Sequence, residues 1–335
     1  MRFSVIVPLY NKAPYVRHAL ESVFAQTYKD FECIVVDDGS TDGSLDIVRA
    51  INDEMSRDKS LNEPHTLNDG RFKIFSQANS GVAAARNNGV AVSKGEYVCF
   101  LDADDWWEST FLEEMDRLIA EYPDAGIYAS NYIYYKPGKT HVALSLPRGY
   151  LDYPKAYYEG SSMPVWTGAT CMPRKVFDEM GGFPLGIKLG EDFLLWAKIA
   201  LHYPVAFSEK PLAYYNNDVP ASLRATRNLH APEHHMLFHL DSLEEETRNL
   251  SPVTGNPSEW KALLDKLRVN GLMDYWLSDE YHDVATAELA KVNWSKQPKS
   301  AKAQYEKPIW FLRAKRRFMQ VGSYCKQKLL HLKNK

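Results

Sequence analysis

Cysteine is scarce in this chain. Cys33, Cys99, Cys171 and Cys325 are the four in 335 residues, and they lie far apart, with no CxxC pair and no zinc-like spacing. Cys33 and Cys99 fall inside apolar, strand-like runs, so they read as buried thiols in a reducing cytoplasm. Long apolar runs are missing too: none approaches the roughly 20 residues that span a bilayer. Met1-Arg2-Phe3-Ser4 leads straight into a strand pattern, which leaves no room for a signal peptide and makes the sequons at Asn249 and Asn293 incidental. There is no GxGxxG, which argues against a dinucleotide-binding oxidoreductase. His230, His234, His235 and His239 include two i,i+4 pairs, but no glutamate completes a zincin pattern. The repeat periods of solenoids are also absent.

What is present is ordinary in bulk and uneven in detail. Apolar residues make up 45% and charged residues 25%, which excludes wholesale disorder. The net charge of −3 hides a split. Lys307–Lys335 holds nine basic residues and no acidic one, so residues 1–306 carry 31 basic against 43 acidic, a formal −12.

Along the first hundred residues strand and helix patterns alternate. Strands are expected over Phe3–Val7, Glu32–Val36, Phe72–Ser76 and Glu96–Leu101. Helices are expected over Tyr15–Ala25, from about Ser44, and over Val82–Ser93. Asp53–Arg71 is polar and reads as a surface insertion. Alternation of this kind implies right-handed crossovers and a mainly parallel sheet covered on both faces. Farther on come an aromatic strand over Ile127–Tyr135, a strand near Trp166–Met172, a helix opening at Gly190-Glu191-Asp192, and short strands at Val205–Ser208 and Leu212–Tyr215. From about His230 only helices are expected.

In open α/β sheets ligands bind beyond the carboxyl ends of the strands, and the polar clusters of this sequence fall there. Strand one ends in Pro8-Leu9-Tyr10-Asn11, strand two in Asp37-Asp38-Gly39-Ser40, strand three near Gln77-Ala78-Asn79, strand four in Asp102-Ala103-Asp104-Asp105. Asp102 and Asp104, on alternate positions past a strand, suit a shared Mg²⁺ or Mn²⁺; equally, such acids cap a following helix. Asp38 suits either a hydrogen bond to a base or ribose, or a strand-to-helix turn. Tyr10 offers an aromatic face. Arg86, after Gly81-Val82-Ala83-Ala84-Ala85, reaches either a phosphate or solvent. Glu191-Asp192 supplies either a general base at the cleft or charge for the helix dipole.

Taken together these segments resemble glycosyltransferase family 2, inverting nucleotide-sugar transferases of the GT-A fold. The matching residues are Ser4-Val5-Ile6-Val7-Pro8-Leu9-Tyr10-Asn11, Val35-Val36-Asp37-Asp38-Gly39-Ser40-Thr41-Asp42 and Asn79-Ser80-Gly81-Val82-Ala83-Ala84-Ala85-Arg86-Asn87. Gly95-Glu96-Tyr97, Leu101-Asp102-Ala103-Asp104-Asp105, Gly181-Gly182-Phe183 and Gly190-Glu191-Asp192 continue the series. The resemblance implies a nucleotide-sugar site of Pro8, Tyr10, Asn11, Asp38, Asn79, Gly81, Arg86 and Asp102, a divalent ion on Asp104 and Asp102, and Asp192 as catalytic base. Glu191 stands on the acceptor side, where Trp166 and Trp106 either stack on sugars or pack in the core. It implies uridine rather than guanosine as the base. Two departures stand out. The histidine that the family often carries before a serine is absent from Tyr215–Ser222, where Asp218 is the candidate replacement, and the QxxRW motif of processive polymerases is missing, which argues for single-sugar transfer.

The expected architecture is therefore α/β: a GT-A domain over 1–222 (nucleotide-sugar half 1–105, acceptor half 106–222), then a helical C-terminal region over 223–335. In the tail, Phe311, Ala314, Phe318, Val321, Cys325, Leu329 and Leu332 share an arc of about 80° at helical spacing, with Arg313, Lys315, Arg316, Arg317 and Lys328 outside it. A basic amphipathic helix of this kind either lies on a membrane surface or packs on the body with its charges solvated. The expected enzyme is a metal-dependent glycosyltransferase moving one sugar to a glycan or lipid-linked acceptor in cell-surface polysaccharide or glycolipid synthesis, cytoplasmic or peripheral on the inner membrane face. A sugar nucleotidylyltransferase would need glycines after strand one, and Pro8-Leu9-Tyr10-Asn11-Lys12 has none. A silent sugar-nucleotide or membrane-binding module would be expected to have lost Asp104 or Asp192. Nucleic-acid binding through the tail lacks any recognised module.

Overall fold

Seven strands and helices, β1 (Phe3–Leu9), α1 (Val16–Phe24), β2 (Phe31–Asp37), α2 (Ser44–Arg57), β3 (Phe72–Ser76), α3 (Val82–Ala91) and β4 (Tyr97–Phe100), alternate down the first hundred residues of the computed structural model. It describes residues 1–57, 70–220, 229–249 and 254–314. Every residue of β1 and β2 is buried, as expected of parallel strands with both faces covered. Phe3, Val5, Val7 and Leu9 join one core with Val16, Leu20 and Val23 of α1 and Val48 and Ile51 of α2. On the other face α3 presses close: a Cβ on Gly89 would lie 2.4 Å from Ile6 Cγ2 and 3.2 Å from Val36 Cγ2. The alanine-rich opening of α3 belongs to the same tight approach, with Ala83 and Ala85 buried. The segment expected as an insertion is partly helix. α2 runs to Arg57 because Val48, Ile51 and Met55 keep helical spacing against the core; residues 58–69 lie outside the described residues.

The next elements are β5 (Trp106–Trp107), α4 (Phe111–Glu121), β6 (Ile127–Tyr135), β7 (His141–Val142), β8 (Gly149–Leu151), α5 (Tyr153–Glu159), β9 (Thr170–Pro173), α6 (Arg174–Met180), α7 (Glu191–His202) and β10 (Val205–Asn216). The main sheet order is β3-β2-β1-β4-β9-β6-β10-β5. The first four strands are mutually parallel, but β9 runs antiparallel to both β4 and β6, and β5 antiparallel to β10. β6 and β10 are parallel as well and form the longest pairing, so the sheet is mainly parallel with short antiparallel strands added. The strand expected from Trp166 begins only at Thr170, since a turn intervenes: Ala169 N and Thr170 Oγ1 both donate to Trp166 O, at 2.9 and 2.6 Å. The two strands expected after Val205 are one, with register shifts around Pro211, which has no N–H to give the ladder.

The chain divides into compact units at Trp260/Lys261. Residues 229–249 fall in the first. His235 bridges Leu189, and Leu237, Leu240 and Leu243, the last two in α8 (Leu240–Glu246), are buried in the first unit. Past α9 (Pro257–Gly271), the second unit adds α10 (Met273–Trp276), α11 (His282–Ala290) and α12 (Lys299–Tyr305). There a fully buried Arg268 lies 3.6 Å from Asp265 and 3.2 Å from Glu288. Residues 309–314 are helical, and Arg313 pairs with Asp279 at 2.5 Å. Most of the amphipathic tail, residues 315–335, lies outside the described residues. Among those described, no helix is long and apolar enough to cross a membrane.

Candidate active site

The rim beyond the carboxyl ends of β1, β2, β3 and β4 is built by backbone-to-side-chain hydrogen bonds between its own loops. Pro8 is buried in β1, and Tyr10 just past the strand is 48% exposed. Asn11 adopts φ 51°, a left-handed conformation that asparagine tolerates better than most residues. Its Oδ1 accepts from Thr41 N at 2.8 Å. Asp38 is buried, and its carboxylate is occupied. Oδ1 accepts from Gln77 Nε2 at 2.8 Å and Ser80 N at 2.7 Å, and Oδ2 accepts from Gly81 N at 2.9 Å. Asp38 thus fixes the turn that opens α3. Gly81 takes φ 90° there, and no atom from elsewhere in the fold lies within 4 Å of where its Cβ would stand. Asn79, in the same turn, is exposed.

Arg86 is the hub of the site. Far from reaching solvent, it is buried, and its two terminal nitrogens donate to Asp102 Oδ1 at 2.8 Å and Glu191 Oε1 at 2.9 Å. Its guanidinium lies 5.0 Å from the centre of the Phe183 ring, a cation–π contact. Burial opposes its charge, but Asp102 and Glu191 outweigh that and hold the cation firmly. Phe183 is itself placed by Asn87, which donates to its carbonyl and accepts from its N–H at 2.8 and 2.9 Å.

α7 opens at Gly190, φ 83°, and presents Glu191 and Asp192 in its first turn. Asp192 Oδ2 accepts from Thr167 Oγ1 at 3.0 Å, and Oδ1 accepts from Phe193 N at 2.7 Å. Glu191 is nearly buried. Burial, then the neighbouring Asp192 charge, push its carboxyl up to about 7, while Arg86 pulls the other way. The loop before α7 is clamped from behind, with Met236 N donating to Leu189 O at 3.1 Å and Lys188 N to His234 O at 2.8 Å.

The carboxylates after β4 differ from one another. Asp102 is partly exposed and held by Arg86. Asp104 pairs through Oδ2 with Lys12 Nζ at 2.5 Å; burial raises its carboxyl, with Lys12 opposing and Asp102 adding. Asp105 is buried, its Oδ1 accepting from Asn216 N at 2.8 Å. Burial, then Asp104 and Asp102, push it well up. Asp102 and Asp104 are a fitting donor pair for Mg²⁺ or Mn²⁺, which use one or two carboxylates and take the rest from phosphate and water. Among the described residues no group of three or more His, Cys, Asp or Glu forms an all-protein cage.

Trp166 is buried, with its ring 4.9 Å from Tyr132 and 5.3 Å from Tyr215. Trp106 stacks on Tyr214 at 5.0 Å with His18 4.8 Å away. A cavity of about 290 Å³ opens beside it, bordered by Pro14, His18, Asp104 and Tyr135. Three contributors escape the sequence reading: Lys12, Thr167 and Asn87. Their partners are 92, 25 and 96 residues away, and no local pattern signals them.

Comparison with known proteins matches residues 4–181 to the model of "Glycosyl transferase family 2". The chain is 30% identical over 265 residues to the uncharacterized glycosyltransferase alr2836 of Nostoc sp., covering 74% of this chain and 71% of that one. It spans only 28–41% of the lengths of three other curated relatives, at 33–36% identity. In structure it is similar to S. aureus TarS 1–349 in complex with UDP-GlcNAc, with TM-score 0.67 and 21% identity over 90% of this chain and 83% of that one. It is also similar to the mannosyltransferase PcManGT of Pyrobaculum calidifontis in complex with GDP-Man and Mn²⁺, with TM-score 0.51 and 21% identity over 93% and 83%. These structural likenesses establish the GT-A fold.

Proposed function

Since the chain belongs to glycosyl transferase family 2, we propose that it is a metal-dependent, inverting transferase that moves one sugar from a UDP-sugar to a hydroxyl of a glycan or lipid-linked acceptor. The observation that carries this reading is the joining of two carboxylate stations, Asp102 at the end of β4 and Glu191-Asp192 at the start of α7, through one buried arginine. The first station suits a donor diphosphate and the second a base, and transfer needs both at one cleft.

In this reading Pro8 and Tyr10 line the base pocket. Asp38, with Asn79 and Gly81, shapes the turn that meets the nucleotide, and Asn11 holds the adjoining loop. Asp104 and Asp102 would hold Mn²⁺ or Mg²⁺, which would offset charge on the leaving diphosphate. Asp192, steadied by Thr167, takes the proton from the acceptor hydroxyl as that oxygen bonds to C1 of the sugar. The C1–O bond to the diphosphate breaks, and its electron pair leaves with the nucleoside diphosphate. One displacement inverts C1 and needs one carboxylate base. Trp166 and the Tyr132, Tyr134 and Tyr215 rings around it form the aromatic wall of the acceptor side. Arg86 joins the two stations rather than reaching for phosphate.

A thermal-shift panel of nucleotide sugars with Mn²⁺, followed by slow donor hydrolysis, tests the assignment. A donor should raise the melting point of the wild type and leave Asp104→Ala unmoved; no shift with any donor would end the transferase reading. Asp192→Asn should keep donor binding and lose transfer by about 10²–10⁴-fold, the usual weight of a general base. Membrane contact through residues 307–335 rests on their charge and on Trp310 and Phe311, which are exposed. Cutting the chain after Ala314 should leave hydrolysis intact and lower recovery on anionic vesicles.

A further inference from the structure

The cavity beside Trp106 gathers aromatic rings and acids from several places on the rim. Tyr15 and His18 come from the start of α1, three residues apart and so on one side of the helix. Asp104, Asp105 and Trp106 come from the turn after β4. Tyr135 and Asn216 end β6 and β10, where they pair in register. The wall is held in place from behind. Trp106 stacks on Tyr214 at 5.0 Å and 13°, and the buried Asp105 accepts from Asn216 N at 2.8 Å, which ties the end of β10 to the turn after β4. His18 and Tyr135 meet the Trp106 ring at steeper angles, 58° and 75°, with ring centres 4.8 and 4.9 Å away. Three rings at such angles make a corner rather than a stack. The hydrogen-bonding groups of the Tyr15, His18, Trp106 and Tyr135 side chains are not engaged by any other described residue.

The lining decides what such a corner takes. At about 290 Å³ it stands at the small end of ligand pockets, the size of one ring and not of a nucleotide. Acids in the wall disfavour a phosphate or a carboxylate, and a lipid tail would strip those acids of water. A neutral pyranose suits both kinds of wall. Its C–H face lies on aromatic rings, and its hydroxyls donate to a carboxylate, the stronger class of hydrogen bond. The transferred sugar sits elsewhere, since it has to span from Asp102 to Asp192, and neither Arg86, Thr167, Glu191 nor Asp192 borders the cavity. The acceptor wall, however, is one residue away on each strand. Tyr134 and Tyr215, whose rings meet at 5.6 Å beside Trp166, directly precede Tyr135 and Asn216, and successive residues of a strand face opposite ways. The two strand ends form a ridge, with the acceptor wall on one flank and the cavity on the other. Resting on the glycosyltransferase reading, we propose that the cavity is a second sugar subsite, holding a neutral pyranose of the acceptor next to the one that receives the new sugar. The acceptor is then a glycan longer than a single sugar, not a bare lipid.

Saturation-transfer NMR on the full chain tests it. The neutral probes are glucose, galactose and N-acetylglucosamine with the disaccharides cellobiose, lactose and chitobiose, and glucuronate is the charged control. At least one neutral sugar should bind, its disaccharide more tightly than the single ring, and glucuronate more weakly than glucose. His18→Ala and Tyr135→Ala should each weaken the neutral probe by about three- to tenfold, the weight of one aromatic contact. His18 is exposed, so its variant stands in should Tyr135→Ala unfold, and a thermal shift with UDP and Mn²⁺ reports separately on the nucleotide site of each. Neutral probes that bind both variants as tightly as the wild type overturn the proposal, as does glucuronate binding as well as glucose. A wild type that UDP and Mn²⁺ stabilise but that takes up no probe overturns it too, and leaves the transferase reading intact. A wild type that binds no UDP with any divalent ion sinks that reading, and the subsite with it.

Discussion

Arg86 shows how far one residue's role can depend on its partners. An arginine at the opening of a helix suits a phosphate contact, yet here it is buried between Asp102 and Glu191. Removing one member of a buried ion pair leaves the others uncompensated and costs about 3–5 kcal/mol. Arg86→Ala is accordingly expected to lower stability by that amount in urea unfolding, while Arg86→Lys, which cannot span both acids as a fork, should lose part of it. Glu191 makes a second prediction at this scale. Its folded-state carboxyl lies near 7, above the ordinary 4.5, so the folded protein binds this proton more tightly than the unfolded chain. The stabilisation is complete below about pH 4.5 and is lost as pH rises through 7. Asp104 and Asp105 are raised in the same sense. Between pH 5 and 8 the melting temperature should fall with rising pH, and Glu191→Gln should flatten that slope; an equal slope in the variant would contradict the assignment.

Among the elements, α3 packs closely on the sheet. Its sequence of small residues predicts a helix pressed on a neighbour, and the neighbour proves to be Ile6 on β1 and Val36 on β2, below Gly89. An added methyl there meets branched side chains in a filled core, where overpacking costs about 1–3 kcal/mol. Gly89→Ala should lose that much in the same assay; a neutral result would mean that the helix can slide outward. The turn before α3 depends on Asp38 in a different way. Three donors converge on its carboxylate, and charged acceptors of this kind contribute roughly 1.5–3 kcal/mol each. Asp38→Ala should both destabilise the protein and weaken nucleotide binding, and nucleotide should rescue part of the loss in a thermal shift.

For the whole molecule, the sheet explains the cysteines. Cys33, Cys99 and Cys171 lie on β2, β4 and β9 and have no exposure. Cys99 and Cys171 face one another across the antiparallel pair β4 and β9. Burial pushes the Cys33 and Cys171 thiols up. None of the three should react with a thiol reagent until the protein unfolds; early labelling of Cys99 or Cys171 would mean that β9 detaches from the sheet. β9 is also where the run of parallel strands β3, β2, β1 and β4 is interrupted. A strand near Trp166–Met172 is expected from the sequence, but nothing in the four residues Thr170–Pro173 marks which way it runs between β4 and β6.

The sequence alone determined whatever is written in contiguous residues. The strands at Phe72–Ser76 and Ile127–Tyr135 appear with the expected limits, and the helix over Val82–Ala91 ends two residues before the limit expected for it. Each reports a local period of burial. The acids at the strand ends were legible for the same reason, since alternation with helices places those ends on one rim. Only the tertiary structure decided what those acids are bonded to. It set Arg86 between Asp102 and Glu191, Lys12 on Asp104, Thr167 on Asp192, and Asp38 beneath the turn at Ser80 and Gly81. Each of these partnerships closes a loop of 16 to 105 residues. Such a contact forms because the sheet has already brought both ends together, and nothing in either short segment specifies the other.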